Sequence, residues 1–424
     1  MKHIFALSFI TAGFFLNAQN IGNSPYAAYG IGDVKYDNTV ENTGMAGLTT
    51  AYITDFNSSF NFMNPAANEN LQLTAIKVEA TNENNFFRSD YNDYKVTKHS
   101  TYLSNISIAF PLSQKVKFGL GYQPYSSKSY DVVVSQTEAD GSVKLNAYHG
   151  EGSLNTVQAA LSYQISPAFA LGLRTNFYFG NLYDIDELVS SNAELINGYE
   201  TRNRVNNFNF TAGATYQKKF ENDRKLTLGA TTTFGNSSKM ESTYINSTYF
   251  YNSNEVKNYV SIIEQTNTTA NNLLPLEASL GLGFGHNQRW FIGSQVNYRR
   301  GETIQFVGQD FLNKDSYRVA AGGWILPNVN NFRNYFERII YRYGAFYEKG
   351  NLHINDTDIN RFGVTFGATL PFKNTSINRM SGLDVAVELG KRGTLNNNLV
   401  NQNYINLKVG FNFADRWFQK RLYN

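Results

Sequence analysis

The sequence predicts an all-β protein: a transmembrane antiparallel β-barrel of about 14 strands, with an N-terminal plug, or hatch, in its lumen. Three observations carry that prediction. The 424 residues include 28 Tyr, 32 Phe and 33 Gly at a polar mean hydropathy of −0.38, and no run of about 18 apolar residues offers a helical span. Apolar residues alternate with polar or tiny ones in segment after segment, which is the period of a strand. The connections between these segments alternate between tight turns and long loops, the asymmetry of a barrel with one face in the periplasm and one outside.

Taken in order, residues 1–18 are a secretory signal peptide. Lys2 and His3 give a basic start, Ile4 to Phe15 form the apolar run, and Leu16-Asn17-Ala18 supply small residues for cleavage before Gln19. With no Cys, neither a lipoprotein anchor nor a disulfide can form. The net charge of +3 argues for no nucleic-acid partner.

Residues 19–70 have no clear period and precede the first strand. A barrel of this size is too wide for its own side chains to fill, so something must plug it, and this stretch is the hatch. Gly30, Gly32, Gly44 and Gly47 allow tight irregular backbone, and Asn64-Pro65 is a turn dipeptide that forbids helix before it.

Residues 71–424 form the barrel. Strands are expected near 71–86, 100–112, 115–125, 153–165, 168–180, 204–219 and 224–236. Seven more are expected near 276–285, 289–300, 316–326, 339–347, 361–372, 381–390 and 403–414. In the eighth, Leu276, Ala278, Leu280, Leu282 and Phe284 alternate with Glu277, Ser279, Gly281 and Gly283. A soluble sandwich could show the same alternation; the loops decide against it. Connections after strands 2, 4, 6 and 8 are tight, such as Ser166-Pro167, and those after strands 10 and 12 somewhat longer, whereas 126–152, 181–203 and 237–275 are long extracellular loops. Within them 132–135, 143–148 and 244–251 look extended and are assigned to hairpins outside the membrane, and 331–338 to a helical turn in the periplasm. An even strand count puts both termini on the periplasmic side.

A charge facing lipid near mid-membrane costs about 2–4 kcal/mol for Arg or Lys, so Arg174, Asp384, Glu388, Asn406 and Lys408 are assigned to the lumen. There they could hold a carboxylate headgroup, pin the hatch by ion pairs, or line a wet channel. Nothing points to catalysis. His99, His149 and His353 fall in or beside external loops and His286 in a periplasmic turn, none in a nucleophile or metal pattern. No cofactor or metal site is expected.

The signal peptide, the Gly44 to Gly47 stretch GMAG, and Asn64-Pro65-Ala66 directly before the first of about 14 strands resemble the FadL/TodX family of outer-membrane transporters. The opening NSPYAAYGIGD and closing DRWFQKR are similar to a Bacteroidetes branch of such barrels. The resemblance implies passive uptake of long-chain fatty acids or other hydrophobic compounds. It implies a hatch with its Asn-Pro-Ala turn buried in the lumen, an apolar pocket, and lateral exit into the lipid where the third strand kinks. In KVKFGLGYQPYSS that kink falls at Gly119, Gly121 and Pro124. The alternative is a barrel acting as a shuttle or subunit in protein secretion or outer-membrane assembly, with its partners on the long loops. An apolar lumen pocket continuous with the third strand favours transport. A packed lumen with exposed apolar outer loops favours a protein partner. An open porin is disfavoured by the plug.

Overall fold

The alternation becomes an unbroken ring of strands. The computed structural model describes residues 21–35, 39–57, 59–90, 94–235, 239–270, 274–306, 309–372 and 380–417, so the signal-peptide segment lies outside the described residues. The first seven wall strands are β1 (Thr74–Ser89), β2 (Tyr94–Pro111), β3 (Val116–Ser127), β4 (Val143–Ser166), β5 (Phe169–Ser190), β6 (Ile196–Lys219) and β7 (Arg224–Gly235). The others are β8 (Glu277–His286), β9 (Trp290–Arg299), β10 (Ser316–Ile325), β11 (Ile340–Lys349), β12 (Arg361–Pro371), β13 (Gly382–Gly393) and β14 (Asn401–Asp415). Each pairs antiparallel with the next, and β14 closes on β1 from Thr74↔Asp415 to Arg88↔Asn401. Among the described residues this is a 14-strand closed barrel.

Closure satisfies the wall's backbone groups internally, and the outward face shows why that matters. Leu171 and Leu173 of β5, Leu280 and Leu282 of β8, and Ile405 and Leu407 of β14 all stand exposed on it. An apolar belt of this extent is stable only against lipid. The alternating polar residues turn inward, where Gln158, Asn176 and Gln295 are almost wholly buried.

One expectation is corrected. Most of 126–152 and 181–203 is strand, not loop: β4 begins at Val143, and β5 and β6 run on to turns at 191–195. The outward face of these extensions no longer meets lipid, and polar residues such as Glu200 and Asn203 share the buried face with Leu182, so the apolar alternation disappears from the sequence while the ladder hydrogen bonds persist. Outer strand Tyr130–Thr137 pairs with β4, Met240–Tyr251 pairs with β6, and Lys257–Ala270 pairs with Met240–Tyr251. An open sheet therefore rises above one side of the barrel. On the periplasmic side, Tyr335–Arg338 form a single 3-10 turn between β10 and β11.

Candidate functional site in the lumen

The described residues between Ile21 and Leu71 lie inside this wall, and the wall is shaped to receive backbone. Gly172 of β5 and Gly213 of β6 sit side by side in the register. A Cβ on Gly172 would lie 2.3 Å from the Pro65 carbonyl carbon, and one on Gly213 would lie 2.2 Å from Asn64 Oδ1. The paired Gly229 and Gly281 meet Thr50 and Ala51 in the same way, and the paired Gly322 and Gly344 meet Met45 and Ala46. No side chain fits at such distances, so these glycines are needed for close approach.

The turn at the centre is held by amides. Asn64 is fully buried; its Nδ2 donates to Thr50 O at 2.6 Å, and its Oδ1 accepts from Ala66 N at 3.1 Å. Asn61 and Asn68 close the loop, with Asn68 Nδ2 donating to Asn61 O and to Pro65 O. Ser162 and Thr215 of the wall reach Ala66 O. Gly47, at φ 74°, lets the chain leave the short helix Val40–Thr43, and its N–H returns to Asn42 O. Gly44 passes within contact of Gly367 and Arg342 on the wall.

Side chains of the wall satisfy hatch backbone as well. Gln295 accepts from the N–H of Thr49 and Thr50 at 2.8 and 3.1 Å and donates to Gly47 O. Thr365 accepts from Ala46 N, and Arg318 donates to Ala46 O. Sequence reasoning missed all three, because an inward Gln, Thr or Arg on a strand looks the same whether it faces water or a plug.

Ion pairs then pin the hatch at three heights. Glu41 is buried 3.1 Å from Lys77 and 3.7 Å from Arg342, and Lys77 lies 3.6 Å from Asp384. Burial alone would raise the Glu41 carboxyl, but Lys77 and Arg342 outweigh it and hold it below the usual carboxylate range. Nearer the outside, Asp33 meets Arg392 at 2.6 Å and Lys35 meets Glu83 at 2.9 Å. At the base Asp55 pairs with Lys225.

The inward residues assigned from sequence have these places. Asp384 accepts from Asn412 at 2.6 Å and from Thr369; Glu388 pairs with Arg361; Lys408 donates to Thr43 Oγ1 of the hatch at 3.2 Å. Arg174 is buried, with Nη2 3.2 Å from Thr211 Oγ1 and Nη1 3.5 Å from Met63 Sδ. Asn406 lines a small cavity of about 70 Å³. A larger one, about 190 Å³, opens beside Arg174. Arg299, Arg318, Arg361 and Arg392 stand around it, with Met63 and Tyr178 among its apolar lining. This is a charged chamber, not the apolar pocket that the resemblance implied.

The third strand behaves unevenly. The β2–β3 ladder runs only from Ile106↔Tyr122 to Pro111↔Lys117. Above it β3 pairs instead with the hatch, Asp33↔Ser127 and Val34↔Ser126, and its register against β4 shifts between Pro124 and Ser126. Gly119 and Gly121, expected to loosen the ladder, are paired on both sides. Their missing side chains leave room for the rings of Phe60 and Phe62.

A closed wall, an apolar belt and a pinned hatch define a plugged membrane β-barrel, and a barrel of this kind points to the outer membrane. The chain belongs to the BamG family, whose profile matches residues 1–424. No curated protein matches it by sequence. Solved structures similar in fold include the Pseudomonas putida toluene transporter TodX, at 14% identity and a TM-score of 0.59 over 91% of this chain and 99% of that one. The Ralstonia pickettii toluene transporter TbuX gives 10% and 0.57 over 89% and 98%. A Pseudomonas aeruginosa FadL homologue gives 13% and 0.57 over 90% and 98%. These structural neighbours are channels and transporters of hydrophobic compounds, and at such identities the likeness shows the fold. The resemblance read from the sequence thus holds for the architecture, while the matching family is BamG.

Two outcomes follow from the packing. Gly229→Val drives a side chain into Thr50 O, an overpacking of about 1–3 kcal/mol. The barrel keeps its heat-modifiable gel migration, and the hatch becomes open to added protease. Glu69, at the base of the hatch, is buried with neither carboxylate oxygen hydrogen-bonded among the described residues, and burial raises its pKa. Its ionised form therefore weakens the fold above its unfolded pKa of about 4.3, and that penalty fades as pH falls. Glu69→Gln raises the melting temperature at pH 7 and has little effect at pH 4; equal shifts at both would refute the assignment.

Proposed function

We propose that this chain is an outer-membrane protein that acts by binding another protein, as a subunit in secretion or outer-membrane assembly, through its extracellular sheet. The observation that carries this reading is the strand Lys257–Ala270. It has a ladder with Met240–Tyr251 on one edge and none on the other among the described residues. Both its faces are open, with Val260, Ile262 and Ile263 each more than half exposed. Long unprotected edges are normally blunted or covered, and a strand of this kind is a template for a partner's strand. At the opposite edge of the same sheet, Val132, Val133 and Val134 are exposed as well. The charged lining of the lumen chamber supports the same reading, since Arg299, Arg318, Arg361 and Arg392 suit an apolar cargo poorly. No catalytic step is part of it.

The test is the size of the complex extracted from native outer membranes in mild detergent. The full chain is expected to migrate with a stoichiometric protein companion. The V260N/I262N/I263N variant keeps the barrel's heat-modifiable migration and loses the companion. A wild-type chain that always runs as a lone barrel overturns the reading.

A second reading, passive uptake of fatty acids or hydrocarbons, is favoured by the end of the β2–β3 ladder at Ile106. On that reading ligand leaves the lumen for the lipid past Pro124. Pro124→Val, which restores a ladder donor, slows toluene entry into proteoliposomes without unfolding the barrel. Equal entry rates for the two proteins exclude it.

A further inference from the structure

The most exposed large apolar side chains on the periplasmic side belong to the β10–β11 connection, where Phe332 is 74% and Phe336 70% exposed. This loop is not slack. Asn331 and Asn334 both donate to the Glu337 carboxylate, at 2.9 and 3.2 Å, and Asn328 N–H donates to Glu337 O at 2.8 Å. Asn334 caps the 3-10 turn through Phe336 N, and the Arg338 guanidinium lies under the Phe332 ring at 4.9 Å. The sequence spends a set of polar bonds on holding two phenyl rings away from the protein.

Two tethers say which way they are held. Tyr341 is the first outward residue of β11, continuous with the exposed Tyr343 and Tyr347 of the lipid-facing surface, and its hydroxyl donates to Phe336 O at 3.0 Å. Tyr335 reaches sideways to Pro371 O at the foot of β12. The next residue, Phe372, packs on the outward ring of Phe413, with centroids 6.0 Å apart. The loop is thus drawn against the lower rim of the apolar belt, and Arg333 stands exposed between the two phenyl rings in sequence.

We propose that residues 326–339 form a foot that inserts into the periplasmic leaflet of the membrane. Phe332 and Phe336 enter the acyl boundary, and the Arg333 guanidinium meets lipid phosphate. The occupant is phospholipid because the surface continues the lipid-facing belt, and because rings flanked by a cation are the composition of an interfacial anchor, which sinks about 5–10 Å below the headgroups. The foot makes the rim asymmetric and so fixes the tilt at which the barrel holds its outer sheet.

The absence of Cys makes the test direct. Nitroxide labels are placed on Phe332→Cys, Phe336→Cys and, as an aqueous control, Asn330→Cys in the full chain. The chains are reconstituted in phosphatidylethanolamine–phosphatidylglycerol bilayers, and folding is checked by heat-modifiable migration. Spin relaxation by oxygen is expected to exceed relaxation by a nickel chelate several-fold at 332 and 336, with the reverse at 330. Labels at both Phe positions as open to nickel as the one at 330 overturn the proposal. So do labels shielded from both reagents only in native outer membranes, because then a protein covers the loop.

Discussion

Everything in this barrel depends on the contact between the backbone of its hatch and the backbone of its wall. Here the paired glycines Gly172/Gly213, Gly229/Gly281 and Gly322/Gly344 remove the wall's side chains where the chain passes. Carbonyls and amides of the hatch come within hydrogen-bonding reach of Gln295, Thr365 and Thr215. A buried backbone group must find a partner, so each of these contacts fixes a position and a direction as well as a distance.

The charged groups follow from that geometry. Glu41 sits where water is excluded, and an unpaired carboxylate there would not stay ionised. Lys77 and Arg342 make its burial tolerable, and Asp384 in turn holds Lys77. Such a network adds little net stability over an apolar replacement, yet losing one member costs about 3–5 kcal/mol. Its value is registry: the hatch helix fits at one height on the wall and at no other. The same holds above, where Asp33 reaches Arg392 across the lumen from a strand laid on β3.

The wall was legible in the sequence because lipid outside and polar lumen inside impose period two on it, and each of the 14 expected strands has its counterpart, with β2, β4, β5 and β6 running on past their expected outer ends. The outer sheet was not. Once lipid no longer lies against the strand, as on β5 beyond Gly180, the pattern fades and Tyr, Asn and Asp occupy the strand beside Leu and Ile. The candidate site was legible only in part. Asn64-Pro65-Ala66 stands out as a turn dipeptide, and the inward charges follow from the cost of facing lipid. What the glycines do was hidden, since Gly119 and Gly281 look like weak points of a strand until the hatch atoms opposite them are known. The charged chamber was hidden too: Arg299, Arg318, Arg361 and Arg392 come from four different strands, and nothing in the period of any one of them shows that they converge.

A plugged lumen also changes what the rest of the molecule can be for. In a barrel whose interior is committed to its own hatch, specificity has to reside where surface remains unpaired. Three such places stand out: the seam above Ile106, the periplasmic rim, and the outer sheet. The seam is partly stitched by Asp33–Val34, and the rim lies against the lipid belt. The outer sheet alone combines a long strand edge with apolar residues on both of its faces, well above the membrane where lipid cannot cover them. A strand like Lys257–Ala270 would be an aggregation hazard on a protein that met no partner. On the reading proposed above, the edge is kept open for another chain.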